Sequence, residues 1–462
     1  MRSLWRLSGR IVMGVLVVAG ALLLVLVALA LVPRLQSESR ADRAAAAMLA
    51  AGEIEPARPN ALPALMALEY VRSPDPAAYR PPARTAGTVP SPVPCALRQE
   101  DCLAQVRHAP AAAAAAVDQA QPALDRFDGL PADAVAWQPP PRQPLLTAGP
   151  KQQLADLYLL PTPDLGPLQR ALLTRAALSA VRGEAAGGMA QACMAALQWR
   201  ALRRGSNDAV IDSAGLTFTG QALQLMAQIA ATQPAGTPLP AVCAAALAPL
   251  SDDALSLCPV AARRARGARA MMVFLQRLVH SRMHWTDPAG VLAGLMTVDA
   301  RRAAWRIDRA TAWACRPDVP QRLRAGTLTP PRAETGSGLS CMGDLAGCAA
   351  AARYAGPAAT AGAIARRRAL LIQLAALAQW QWLRTHAAAV DADWGSAYAR
   401  LPAGLHDPAV QLDAGGHALV ATLPPLYAAE PLDAALPAMS PPPRTWRLPL
   451  PPQALASGAQ AP

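Results

Sequence analysis

Eight cysteines carry the most evident chemistry of this 462-residue chain: Cys95, Cys102, Cys193, Cys243, Cys258, Cys315, Cys341 and Cys348. Two stretches repeat one spacing, "CALRQEDC" from Cys95 to Cys102 and "CMGDLAGC" from Cys341 to Cys348. Equal spacing invites either one shared metal or two local disulfides. Structural zinc sites gather thiolates through spacers of about two to four residues, and a thioredoxin-like motif needs a spacer of about two. Both stretches are longer than that, so disulfides are the expectation. In one continuous helix, partners at this spacing share a face but stand ~10 Å apart along the axis, beyond the ~7 Å Cα limit of a disulfide. Closure therefore requires a bend. Gly343 and Gly347 offer one in the second stretch, and Pro94 lets Cys95 sit ahead of a helix that contains Cys102 in the first. Eight cysteines allow about 105 connectivities, so only local pairs are readable. Cys243 and Cys258 flank a break at Pro249 and are expected to staple adjacent helices, which leaves Cys193 with Cys315 by elimination.

The histidines offer less. "HSRMH" sets His280 and His284 at the i, i+4 spacing that puts two imidazoles on one helix face, as zinc metalloproteases require. Those enzymes carry a general-base glutamate after the first histidine, and here that position is Ser281. A two-histidine site completed by Asp287 or Asp299 is the sharper reading, and a polar helix end beside Trp285 the plainer and expected one, so no metal and no cofactor is assigned. "GLTFTG" (Gly215 to Gly220) and "GSGLSC" (Gly336 to Cys341) match neither Gly-x-Ser-x-Gly nor the lysine-bearing phosphate loop, and turn or packing roles are expected. Trp380, Trp382, Trp394 and Tyr398 could line a groove, but such a cluster on a long helix is expected to be core. No catalytic residue is assigned.

Whether the cysteines meet an oxidant depends on compartment. Residues Ile11 to Val32, "IVMGVLVVAGALLLVLVALALV", are uncharged and overwhelmingly apolar, and a helix of that length crosses a hydrocarbon core of ~30 Å. Arg2, Arg6 and Arg10 precede it with no acid, whereas charges are mixed after it. The positive-inside rule then keeps residues 1–10 in the cytoplasm and exports the body. A cleaved signal peptide is the competing reading, since "ALA" at Ala28 to Ala30 has the small-x-small form, but the apolar run exceeds the ~7–15 residues of a signal core and continues past that point. Either way the cysteines enter an oxidising space where disulfides persist.

Composition sets the fold class. Hydrophobic residues make up 53% of the chain but aromatics only 4%, so alanine and leucine dominate and favour helix over strand. The 46 prolines cut it into short segments. The formal net charge is +12, and among the 43 basic residues Lys151 is the single lysine, the mark of a GC-rich genome as much as of an anionic partner. The tightest basic runs, "RRARGAR" (Arg263 to Arg269) and "RRR" (Arg366 to Arg368), have few aromatics between them for base stacking, and nucleic acid is not an expected partner.

Along the chain, residues 33–94 read as a proline-rich linker with one short helix near Ser39 to Ala51. Residues 95–423 read as a disulfide-stapled α-helical body, with helix breaks expected near Pro110 and Pro122, proline-in, glycine-out punctuation at Pro167 and Gly183, caps at Asn207, Asp208 and Ser251, and a disturbance at Pro259. "VQLD" and "HALVATL" across a Gly-Gly turn form an expected hairpin, and residues 424–462 an expected disordered tail.

The order of anchor, "C…C" segment with "LAQVR", "LAPLSDDALSLCP" and "RRRALLIQLAALAQWQWLRTH" leading into the hairpin resembles a group of membrane-anchored helical envelope proteins of proteobacteria. It spans Leu62 to Leu423 and implies location and architecture, with no activity to carry over. The expectation is a mainly α protein: an N-terminal transmembrane helix at residues 11–32 in the inner membrane, then an exported multi-helix periplasmic body with a small C-terminal hairpin. It is expected to act as a non-enzymatic scaffold or accessory subunit for protein partners in the envelope; an anchored hydrolase or a ligand-binding module is the alternative.

Overall fold

The computed structural model describes residues 13–22, 24–25, 37–53, 57–68, 95, 101–137, 165–282, 298–331, 341, 344–355, 357–386, 393–424 and 445–451. The protein is mainly helical with a small antiparallel sheet near its C-terminus. Residues 13–22 and 24–25 are helical and exposed, and the rest of the expected span 11–32 lies outside the described residues. Among the described residues no helix is long and apolar enough to cross a membrane.

Local sequence explains most helix ends. Helix α1 (Arg40–Gly52) opens on a capping box in which Ser39 and Asp42 satisfy each other's backbone N–H groups. Helix α2 (Leu62–Leu68) follows, then α3 (Cys102–His108) and α4 (Pro110–Asp128). Pro110 does break the chain, but Pro122 sits inside α4. Asp118 and Pro122 are both exposed, so the carbonyl that loses its donor can be solvated, and the proline is tolerated. Helix α5 (Gly166–Val181) takes Pro167 in its first turn, and Gly183 beyond it adopts φ 93°. After α6 (Ala185–Arg203), Asp208 caps α7 (Ala209–Ala231) by accepting from the N–H groups of Val210 and Ile211. Helix α8 (Ala241–Leu247) precedes α9 (Asp252–Leu255), whose cap is Ser251. Pro259 opens a helix where a disturbance was expected: it is the second residue of α10 (Cys258–Arg282), where its missing donor costs nothing.

Helix α11 (Ala300–Thr311) is capped by Asp299 and runs into a 3-10 turn (Ala312–Cys315) before α12 (Val319–Arg324). Helices α13 (Leu345–Ala355), α14 (Pro357–His386) and α15 (Trp394–Ala399) complete the set. The sheet has strands β1 (Val410–Leu412), β2 (Ala418–Thr422) and β3 (Thr445–Pro449) in the order β1-β2-β3. Val410 faces Ala421 and Leu412 faces Leu419 across the hairpin, while Ala418 faces Pro449 and Thr422 faces Thr445 on the other side of β2.

Strand β3 is a correction, because it lies within residues 424–462, expected to be a disordered tail. Thr445 to Pro449 alternate outward and inward, burying Trp446 and Leu448 beneath the sheet. The neighbouring prolines mask that period-2 signal in the sequence. A second difference concerns the linker. Asn60 bonds the backbone of Trp137 in both directions, with its Nδ2 donating to the Trp137 carbonyl (2.6 Å) and its Oδ1 accepting from the Trp137 N–H (3.1 Å). Helix α1 buries Ala45 and Leu49, so parts of residues 33–94 belong to the body.

Two cores hold the helices. The larger joins α3 to α9, α14 and the sheet, around Trp199, Phe218, Leu223 and Trp380. Trp199 and Phe218 meet edge to face at 5.0 Å, and the indole N–H of Trp380 donates to the Pro449 carbonyl at 2.8 Å, docking the sheet on α14. Close approach there depends on absent side chains: a Cβ on Gly188 of α6 would stand 2.5 Å from the Ala176 carbonyl of α5. The smaller core packs α1 against α10, α11 and α13 through Leu49, Ala262, Ala265, Ala303, Ile307 and Ala350. This second core positions the site described next.

Candidate functional site

All eight cysteines are disulfide-bonded. Cys95 pairs with Cys102 at a Cα separation of 4.4 Å, and the required bend is visible, since Cys95 has φ 66° and Cys102 is the first residue of α3. Cys341 pairs with Cys348 across 5.8 Å, with Asp344, the residue before α13, between them. The other two pairs correct the expectation: Cys193 joins Cys243, and Cys258 joins Cys315. Cys243 and Cys258 flank the same break, but α8 packs on α6, bringing Cys243 to Cys193, while α10 packs on the 3-10 turn, bringing Cys258 to Cys315. Helix packing outranks proximity along the chain. Four disulfides fit an oxidising, exported compartment.

The histidine pair is not assembled into a site. His280 sits half-buried in the last turns of α10, and His284 and Asp287 lie outside the described residues. Asp299 is committed to capping α11 through the N–H groups of Arg301 and Arg302. Among the described residues no group of three or more His, Cys, Asp or Glu side chains could hold a metal ion. Gly215 and Gly220 lie on α7, where an added Cβ would meet Trp199 and Arg203 of α6 at one and Gln373 of α14 at the other; of "GSGLSC" only Cys341 is described. Trp380 and Trp394 are buried in the core and Trp382 half-buried, and the Tyr398 hydroxyl donates to the Val410 carbonyl.

Much of the arginine excess works inside the fold. Arg200 caps the end of α8 by donating to the carbonyls of Ala246 and Ala248. Arg324 donates to Leu250, and Arg384 to Thr237. Each satisfies orphan carbonyls with charge-assisted hydrogen bonds. From the two basic runs, Arg266 and Arg269 pair with Glu53, Arg269 also holds Asp308, and Arg368 donates to the Arg324 carbonyl. Arg367 joins a fully buried group: its two terminal nitrogens meet the two oxygens of Asp212 at 2.8 and 2.9 Å, with Arg203 Nε at 3.5 Å from the same carboxylate. Burial, offset in part by Asp212, lowers the pKa of Arg203 to about 10.

The feature that sequence reading missed is a cleft of about 520 Å³ between the start of α1 and one face of α11. Ser37, Ser39 and Asp42 line it from one side, and Arg302, Trp305, Arg306 and Arg309 from the other. The signal was present in "RRAAWRIDRA": positions 302, 305, 306 and 309 follow the i, i+3, i+4, i+7 rule and share one face. Arg309 Nε meets Asp42 Oδ1 at 2.7 Å, and Arg301 lies over the Trp305 ring at 4.8 Å. Arg306 Nε stands 3.5 Å from Asp344 Oδ2, and its NH1 rests on the sulfurs of the Cys341–Cys348 disulfide. Burial lowers the pKa of Arg306, with Asp344 opposing that shift. Asp344 is fully buried, accepts from the N–H groups of Asp299 and Gly347 at 3.1 Å each, and is raised by burial to about 6. The lining thus sets three guanidiniums against Asp42, with the buried Asp344 behind Arg306, and an excess of positive charge remains on the cleft wall.

These features define a mainly helical, disulfide-stapled body carrying a cationic cleft. Comparison with protein-family models, with curated proteins and with solved structures finds no match to this chain.

Proposed function

We propose that this chain is a single-pass inner-membrane protein, anchored by residues 11–32, whose periplasmic helical body serves as a non-enzymatic scaffold or accessory subunit in the envelope. The observation that carries the reading is the helical stretch over residues 13–22 and 24–25. Its apolar side chains stand exposed, Met13 at 64%, Val18 at 67% and Leu24 at 70% among them. Each such side chain left in water forgoes about 1.5–3 kcal/mol of burial, so the stretch requires an apolar surrounding. It belongs to an uncharged run of transmembrane length preceded by Arg2, Arg6 and Arg10, and the body beyond it holds its cysteines as disulfides. Several arginines of the helical body are spent on carbonyl clamps and ion pairs, which suits a rigid binding platform. The cleft between α1 and α11 further favours a body that also holds an anionic ligand.

Two measurements on the full chain test the reading. The protein is expected to resist alkaline carbonate extraction, and a phosphatase fused at its C-terminus is expected to be active. Release into the carbonate supernatant, or an inactive fusion of normal abundance, refutes it.

A further inference from the structure

The cleft lies close to the proposed anchor in sequence. Ser37 lines it, and the apolar run ends at Val32. The residues between them span at most ~18 Å at about 3.6 Å each. The headgroup layer of a bilayer extends roughly 5–8 Å beyond the hydrocarbon on each side. A body tethered that closely holds the cleft within reach of lipid headgroups.

The chemistry of the lining selects among anions. Guanidinium groups present planar sets of donors matched to phosphate oxygens, and Arg302, Arg306 and Arg309 converge on one cleft. Ser37 stands opposite, beside Ser39, whose hydroxyl is held by Asp42. Trp305, half-buried in the wall, brings an amphipathic ring of the type enriched at membrane interfaces. A volume of about 520 Å³ is much larger than a bare phosphate and falls in the ~300–1,000 Å³ range of small-molecule sites. It accommodates a phosphate together with its ester substituents.

We infer that this cleft binds the phosphate group of an anionic phospholipid headgroup in the leaflet facing the body. The inference rests on the anchored reading for the source of the ligand, while the phosphate chemistry stands on the cleft alone.

Binding to the full chain in a nonionic detergent, followed by native mass spectrometry, tests it with three probes: dihexanoyl phosphatidylglycerol, dihexanoyl phosphatidylcholine and inorganic phosphate. The phosphatidylglycerol is expected to bind more tightly than the phosphatidylcholine. Loss of one charge-assisted hydrogen bond from Arg309→Gln or Arg302→Gln is expected to weaken it by roughly 10- to 100-fold. Arg309 is half exposed, so that variant is expected to fold even if Arg302→Gln does not. Arg175→Gln, which removes an ion pair with Asp128 outside the cleft, is expected to leave binding unchanged. Inorganic phosphate that binds with the same sensitivity to the cleft variants supports the phosphate site and identifies free phosphate as a sufficient ligand. Absence of binding by both phosphatidylglycerol and phosphate, or equal binding by wild type and Arg309→Gln, overturns the inference. Carbonate extraction separates the two readings, since a protein released by carbonate that still binds phosphate loses only its anchor.

Discussion

Replacing Asp212 with asparagine tests whether the arginine excess is built into the core. Asp212 is the only carboxylate in contact with Arg203 and Arg367 among the described residues, and the three side chains are between 1% and 5% exposed. Two buried cations therefore depend on one anion. Asparagine keeps the shape, but it removes the charge and places an N–H₂ donor where one of the two Arg367 nitrogens now finds an acceptor. Arg203 and Arg367 retain only backbone carbonyls, those of Ala254, Ser256 and Ala363. Breaking a buried pair by removing one partner costs about 3–5 kcal/mol, because the remaining charge stays desolvated. The excess cation places Asp212→Asn toward the upper end of that range. Urea unfolding of the full chain, followed by tryptophan fluorescence, measures the change. Arg367→Met is expected to cost less, since it leaves Arg203 and Asp212 as a one-to-one pair. In the double variant the two losses are expected to be non-additive by about 1–3 kcal/mol, as for residues in one network. A loss below about 1 kcal/mol for Asp212→Asn, or strict additivity, would show that solvent reaches the group and would refute the reasoning.

The disulfides are expected to differ in weight. Chain-entropy estimates give about 4 kcal/mol for closing the long loops of Cys193–Cys243 and Cys258–Cys315, and about 2 kcal/mol for each local pair, so a Cys193→Ala, Cys243→Ala variant should unfold at clearly lower urea than Cys95→Ala, Cys102→Ala. Equal midpoints would contradict the long-range pairing, which non-reducing peptide mapping also checks directly. Asp344 makes a pH prediction: its carboxyl is held near 6 in the fold against about 3.9 in the unfolded chain, so it binds its proton more tightly when folded. Its contribution to stability is fully present below about pH 4 and lost as pH rises through about 6, a swing on the order of 3 kcal/mol. Asp344→Asn removes the titrating carboxyl and keeps the side chain neutral at every pH, so it should flatten the pH dependence between pH 4 and 6 relative to wild type; an unchanged slope refutes the assignment.

By itself the sequence determined whatever closes within a few residues. Ser39, Asp208 and Ser251 cap helices, and Pro167 and Gly183 bracket one, because each cap side chain accepts from a backbone N–H only two or three positions further on. The local disulfides and the hairpin from Val410 to Thr422 were legible for the same reason: a short loop leaves few alternatives. Tertiary structure decided what depends on how helices stack. Cys243 has Cys258 nearer in sequence but Cys193 nearer in space, because α8 lies on α6. Strand β3 forms because β2 offers an open edge and Trp446 and Leu448 find a core to enter, neither of which is written in a proline-rich tail. The cleft shows the division most sharply. The spacing of Arg302, Trp305, Arg306 and Arg309 already fixes a cationic face on one helix, yet only the packing of α1 against α11 turns that face into one wall of an open cleft with Asp42 and two serines opposite. A helix face is a local property set by 3.6 residues per turn, whereas a cavity is the space left between elements that the chain joins more than 250 residues apart.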